Sequence, residues 1–398
     1  MHGLTQALQG TRVLDFSQGI AGPHAACLLG EMGAEVVKIE PPSGDWLRGL
    51  GVKRNGSSVL FGTFNRGKRG LSLDLKQPAA REAALRLIAQ ADVMIESNRP
   101  GVMKRLGLDY ASVRAVNPRL VYLSISGFGQ TGPNAHLPAT DAAVQAFTGF
   151  SFGAGDMVEP VRVRISIVDV VSGIYASHAI LGALLQRGRT GEGQTLDVSL
   201  MHCITAVQSS KHAEHEATQG AIQKELFAAI GIYRTADGYL AISAMREQQV
   251  TDLIAMIGKT DLLRDERFAT PQGRFQNQDA LRVEIAQALG AQSNGHWLPR
   301  MQELNLICQE VLSYDAFRHH PQVLEQQLFT TTDLGEIGWL PTVRMPGLPA
   351  GTTTAPAPCI GEETLSVFAD WGVALDQAEA WIAHGAAVQA SPDVTRSA

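Results

Sequence analysis

The first 200 residues alternate short β-branched runs with helical patterns, and a glycine or proline stands at most of the handovers. Thr11 to Phe16 reads as a strand, and Gly19 to Pro23 as a glycine turn with Pro23 at an early helical position. A helix then runs to about Met32, and Gly33 breaks it before a second strand, Ala34 to Glu40. Gln77 to Ala91 is helical, Val93 to Glu96 is a short strand, Gly101 to Leu106 starts another helical segment, and Leu120 to Ser126 is a further strand. Strands joined by helical crossovers pair in parallel, since such neighbours need a connection of about a dozen residues or more. A doubly wound α/β domain is therefore expected through about Leu200.

Within that frame, Pro160 to Leu200 carries the most chemistry. Val161 to Val168 is rich in β-branched residues and reads as a strand. Asp169 comes next, then a helical pattern with Ile174, Leu181, Leu184 and Leu185 on one face, ending at Arg187-Gly188. A carboxylate at such a handover sits beside the positive end of the helix dipole, which favours its ionised form and suits an anionic nucleophile. Ser166-x-x-Asp169 also fits a capping box, and on spacing alone capping is the stronger reading.

At 398 residues the chain exceeds what one core usually fills, so two domains are expected. The net charge of −6 argues against nucleic acid as the main partner. No uninterrupted apolar run approaches the length of a membrane span, and the N-terminus lacks a signal-peptide layout. Cys27, Cys203, Cys308 and Cys359 lie far apart without a CxxC pair, as expected of reduced thiols in a cytoplasmic protein. Between Lys53 and Arg81 there are seven Lys or Arg and one acid, Asp74. That run suits a polyanionic small molecule or, equally, a solvated basic face.

Several motifs are decoys. Gly62 to Arg69 nearly spells a P-loop, but Arg69 replaces the Ser/Thr that would hold magnesium, and a β-like run comes after it. Gly127 to Gly132 matches G-x-G-x-x-G, yet Pro133 and Pro138 bar a long helix from opening at that turn. His202, His212 and His215 form no zinc spacing, and no metal site is expected. From about Phe227 the character changes: Ile232 to Thr235 and Tyr239 to Ser243 flank Ala236-Asp237-Gly238, a hairpin signal. Pro341 to Pro358 reads as an extended connector, and the tail after Ala390 as frayed.

Taken together, LDFSQGIAGP, GAEVVKIEPPSGD, FNRGKRGLSLDLK, ADVMIESNRPGVMKRLGLDY, NPRLVYLSISGFGQTGP, the Asp169 segment with RTGEGQTLDVSL, and TADGYLAIS resemble the family III CoA-transferases in the same order, over roughly residues 10 to 380. The resemblance implies an α/β fold: a Rossmann-like large domain built from both chain ends, plus a smaller α+β domain. On this reading 1–200 and 331–398 form the large domain, 201–226 a helical linker and 227–330 the small domain. It also implies an interlocked homodimer. Asp169 falls at the position of the family's catalytic aspartate, which reverses the capping preference. Leu73 and Lys76, Ser97, Asn98 and Arg99, and Arg105 match CoA-contacting positions; Gln18, Gly19 and Ile20 match positions facing the thioester. Coenzyme A and acyl-CoA enter as substrates, with no permanently bound cofactor and no metal. The partners implied are an acyl-CoA and a small organic acid, with no membrane and no nucleic acid.

Departures narrow the acid. Formyl-CoA transferases that use oxalate have Gln where this chain has Ile20 and an arginine where it has Pro41, and a lysine of theirs is replaced by Pro138. Their tetraglycine lid has no counterpart between Thr218 and Gly231, so oxalate is not the expected acceptor. Arg162 and Arg164 lie two apart on the strand-like run before Asp169, and Arg164 could clamp the far carboxylate of a succinate-, itaconate-, mesaconate- or citramalate-type acid. The related α-methylacyl-CoA racemases carry a catalytic His where this chain has Thr140, which disfavours a two-base racemase. A non-catalytic CoA-binding protein would gain nothing from a desolvated carboxylate at Asp169.

Overall fold

The structure, a computed structural model, describes residues 3–155, 158–220 and 227–390. Residues 221–226 of the Thr218 to Gly231 stretch, and the tail after Ala390, lie outside the described residues. The chain divides into two compact units, Met1–Glu216 with Glu325–Ala398, and Ala217–Leu324.

The larger unit is built on a seven-stranded sheet: β1 Arg12–Asp15, β2 Glu35–Glu40, β3 Arg69–Leu73, β4 Val93–Glu96, β5 Val121–Ser126, β6 Gln194–Ser199 and β7 Ala387–Val388. The order is β7-β3-β2-β1-β4-β5-β6, parallel except for β7, which runs antiparallel to β3. Both faces are covered, so the strands alternate between two cores rather than between core and water. Val13, Val36, Val93 and Val121 pack on one side; Leu14, Val37, Met94 and Tyr122 pack on the other. Helices α1 Ala21–Glu31, α3 Asp141–Phe147, α4 Ile167–Thr190 and α5 Leu200–Val207 cover the first side. Helices α2 Pro78–Ile88, α6 Thr364–Asp370 and α7 Leu375–Ala383 cover the second. The C-terminal segment is pinned by Trp371, whose Nε1–H donates to Glu35 Oε1 at 3.0 Å.

The smaller unit has an antiparallel sheet with Tyr239–Ala244 between Ala229–Arg234 and Ile307–Glu310. The expected hairpin forms: Arg234 pairs with Tyr239, and the Thr235 hydroxyl accepts from the Gly238 N–H at 3.1 Å. Its core gathers Leu240, Leu253, Phe268, Leu281, Ile285 and Trp297.

Three expectations need correction. Residues 161–166 form no strand, and α4 already begins at Ile167. The buried face of α4 is Val168, Ser172, Gly173, Ala176, Ser177, Ile180 and Ala183, while Ile174 and Leu185 are 50% and 71% exposed. Small residues win that face because α1 comes so close: a Cβ on Gly173 would sit 2.9 Å from the Ala21 carbonyl oxygen. At 24 residues α4 is, by length and composition alone, long and apolar enough to cross a membrane, but in this unit it packs against α1 and α5. The expected connector is preceded by, and partly consists of, an antiparallel pair, Phe329–Asp333 with Trp339–Val343.

Candidate active site

The turn after β1 is tied to the turn after its sheet neighbour β4. The Gln18 N–H donates to Ser97 Oγ at 2.9 Å, and Ser97 Oγ–H donates back to the Gln18 carbonyl at 3.2 Å. Beside it the Asn98 N–H donates to Glu96 Oε2 at 2.7 Å. Gly19 has φ +80°, a conformation that strains any L side chain. Ile20 packs inward with Leu47 and Phe61, and this small apolar cluster also takes in Phe64 and Val170. Ile20 thereby joins the β1 turn to the residue after Asp169. One helical turn on, His24 lies against Gly173 and edge-on to Phe64, and burial pushes its imidazole down to about 4.

Asp169 is the third residue of α4, and no hydrogen-bond donor among the described residues reaches its carboxylate. The Ser166 side chain makes no cap, so the capping box read from the sequence does not form. The cap comes from α3: Asp141 Oδ2 accepts the Val168 N–H at 2.8 Å and the Asp169 N–H at 3.3 Å. Asp141 is 8% exposed, and its Oδ1 accepts from Gln145 Nε2 at 2.6 Å. Gln145 also clamps Val163, accepting its N–H at 3.0 Å and donating to its carbonyl at 3.1 Å. Helix α3 thus holds both the lead-in and the first turn of α4. Burial, with the Asp141 charge second, pushes the Asp169 carboxyl up to about 7. The dipole argument pointed the other way; desolvation beside a like charge outweighs it.

The Ser17 to Ile20 turn also sits on buried charges that the sequence did not single out, with Lys68 bonded to Asp15 at 2.8 Å and Lys38 to Asp45 at 2.9 Å. Lys68 came from the P-loop decoy. The basic run is accordingly less free than its charge count suggested. Arg66 pairs with Glu31, and Arg69 with Glu35 and Asp370.

Of the residues matched to CoA contacts, Lys76, Arg99 and Arg105 are exposed and form no ion pair among the described residues. Leu73 is only 1% exposed and packs in the core, so its side chain is not available to a ligand. Thr140 is exposed, and its hydroxyl caps α3 by accepting the Ala143 N–H at 3.3 Å. Arg164 is exposed on the coil ahead of Asp169 and likewise has no ion pair among the described residues. No group of three or more His, Cys, Asp or Glu that could hold a metal occurs among the described residues.

A desolvated carboxylate with no donor on it, beside an apolar cluster and a tight glycine turn, is suited to covalent attack on a carbonyl. The sequence model of CoA-transferase family III matches residues 8–364. The chain belongs to the family III CoA-transferases. As a member of that family it is an enzyme of the CoA-transferase type. This CoA-transferase is 34% identical over 327 residues to the acetyl-CoA:oxalate CoA-transferase of Acetobacter aceti, covering 80% of this chain and 84% of that one. It is 32% identical over 385 residues to the succinate–glutarate CoA-transferase of Agrobacterium fabrum, covering 91% and 95%. Among solved structures it resembles a CaiB/BaiF family protein from Brucella suis, with a TM-score of 0.80 at 29% identity, covering 92% of this chain and 99% of that one.

Proposed function

We propose that this CoA-transferase moves CoA from an acyl-CoA to a small dicarboxylic acid through covalent intermediates on Asp169. The observation that carries the reading is the Asp169 carboxylate, desolvated and free of donors at the start of α4, with its backbone held by Asp141. The carboxylate attacks the thioester carbonyl, forming a mixed aspartyl anhydride and expelling CoA thiolate. The thiolate attacks the aspartyl carbonyl, giving an aspartyl-CoA thioester and releasing the donor acid. The acceptor carboxylate then attacks that thioester, re-forming an anhydride and freeing thiolate. Attack of the thiolate on the acceptor acyl carbon gives the new acyl-CoA and restores Asp169. A serine would form an ester, well below a thioester in transfer potential, and the activation would be lost. The anhydride keeps it.

The Gln18 and Gly19 amides are engaged by Ser97 and Asp45, so they are not free to hold an oxyanion. The Ile20 and Ala21 amides, at the start of α1, have no acceptor among the described residues and take that role. Lys76, Arg99 and Arg105 meet the CoA phosphates, and Arg164 meets the far carboxylate of the acid. The same reading includes the interlocked homodimer. Relatives named for succinate–glutarate and oxalate transfer support a dicarboxylate acceptor, and they keep oxalate on the panel. Donor acyl-CoAs run against acceptor acids, with products read by mass spectrometry, test the proposal. Transfer confined to monocarboxylates would contradict it.

A further inference from the structure

The reaction above uses none of the four charges buried beneath the Ser17 to Ile20 turn. Lys38 Nζ donates to the Ser17 carbonyl and, at 2.9 Å, to Asp45 Oδ2. Asp15 accepts the Ser17 N–H at 3.0 Å and Lys68 Nζ at 2.8 Å. Burial would lower the Lys38 ammonium, but Asp15, Asp45 and Glu40 outweigh it and hold Lys38 above its ordinary range. Such a lattice is a poor stability device, because desolvation cancels most of the attraction. Its geometry is specific, however. The Asp45 carboxylate accepts the Gly19 N–H at 3.2 Å on both oxygens and the Leu47 N–H at 2.9 Å, capping the short helix Trp46–Gly49. That helix lays the Trp46 indole across Gly19, where a Cβ would meet Cζ2 at 2.5 Å. Trp46 is nonetheless 55% exposed, so a large apolar side chain is held at the surface, against the turn.

We infer that Asp45 is a positioning residue for the acyl-CoA turn, with Trp46 as the wall it sets in place. One carboxylate draws the Gly19 N–H away from the ligand side, anchors the indole over the turn and leaves the Ile20 and Ala21 amides facing the thioester. The inference rests on the reading that this turn faces the thioester.

Two double variants separate the amide grip from the charge. Lys38→Met/Asp45→Asn removes both charges and keeps an acceptor for Gly19 and Leu47, while Lys38→Met/Asp45→Ala removes the acceptor as well. The readouts are the single-turnover rate of adduct formation on Asp169 and the acyl-CoA concentration that half-saturates it. The Ala double should react about thirtyfold slower with half-saturation within about threefold of wild type, and the Asn double should stay within about threefold in both. Trp46→Ala, at an exposed position, should slow the step about fivefold without lowering the melting temperature, and it decides the matter if the doubles do not fold. Equal slowing of both doubles, or a wild-type rate for Trp46→Ala, overturns the inference. Wild-type protein that forms no adduct on Asp169 sinks the reading of the reaction instead, so the two failures are distinguishable.

Discussion

The carboxylate of Asp141 accepts the backbone N–H of Asp169 at 3.3 Å, so one acid holds the first turn of the helix that presents another. The arrangement gives α4 an N-cap and raises the pKa of Asp169 at the same time. Asp141→Asn should keep the cap, since Asn and Asp cap about equally well, but its amide nitrogen loses the bond from Gln145, at a cost of about 1 kcal/mol. It removes the like charge, so the acidic limb of the activity profile should move to lower pH. Asp141→Ala should destabilise the fold by about 1–2 kcal/mol, because two buried N–H groups lose their acceptor. Thermal melts and pH–rate profiles of the two variants check both outcomes. An unchanged acidic limb in Asp141→Asn would contradict the coupling.

The pH dependence comes from the Asp169 carboxyl standing at about 7 against an ordinary 3.8. The attacking species is the carboxylate, so the first covalent step should gain rate as pH rises through about 7. The stability effect has the opposite sign. A group whose folded pKa is raised makes the folded state bind more protons between 3.8 and about 7, so stability falls as pH rises through that window. Asp169→Asn removes the penalty and should be more stable than wild type at pH 8, by on the order of 1–2 kcal/mol. The gap should close towards pH 4. Melting temperatures of the pair across that range measure it, and a variant less stable at pH 8 would contradict the raised pKa.

Most of the larger unit was legible because alternation and glycine breaks are local signals. β1, β2, β4 and β5 and the helices between them fall where the periodicity put them. The Asp169 environment was not. Its local spacing spelled a capping box, whereas the actual cap, Asp141, is 28 residues away in sequence and meets it only through the packing of α3 on α4. The β-branched run 161–168 suggested a strand, but Gln145 fixes Val163 to a helix, where no strand partner is offered. Lys68 looked like part of a failed P-loop because nothing near it in sequence shows that Asp15, 53 residues earlier, receives its ammonium. Long-range polar pairing leaves no periodic trace in a sequence.

Arg164 offers a check on acid specificity. It is exposed, close to Asp169 in sequence and without an ion pair among the described residues. Arg164→Ala should raise KM for dicarboxylates about tenfold, corresponding to about 1.4 kcal/mol, and leave monocarboxylates unaffected. Unchanged KM across a dicarboxylate series would remove Arg164 from the acid site.

Thr140 bears on reaction type. Its hydroxyl is used as the cap of α3 and it is no proton acceptor at neutral pH, so a 2-methylacyl-CoA should not take up deuterium at its α-carbon from heavy water. Mass spectrometry of the recovered thioester reads the exchange. Rapid uptake without an acceptor acid would move the enzyme to the racemase branch.

The most direct test of Asp169 as the nucleophile is peptide mass spectrometry of the protein after acyl-CoA and hydroxylamine, with no acceptor acid. Hydroxylamine should convert Asp169 to a hydroxamate in wild type and leave Asp169→Asn unmodified, with turnover in that variant reduced by about three orders of magnitude or more. Asp169→Asn should still fold, since the cap of α4 comes from Asp141. An unmodified Asp169 in turning-over wild type, or near-normal turnover in Asp169→Asn, would contradict covalent catalysis at this residue.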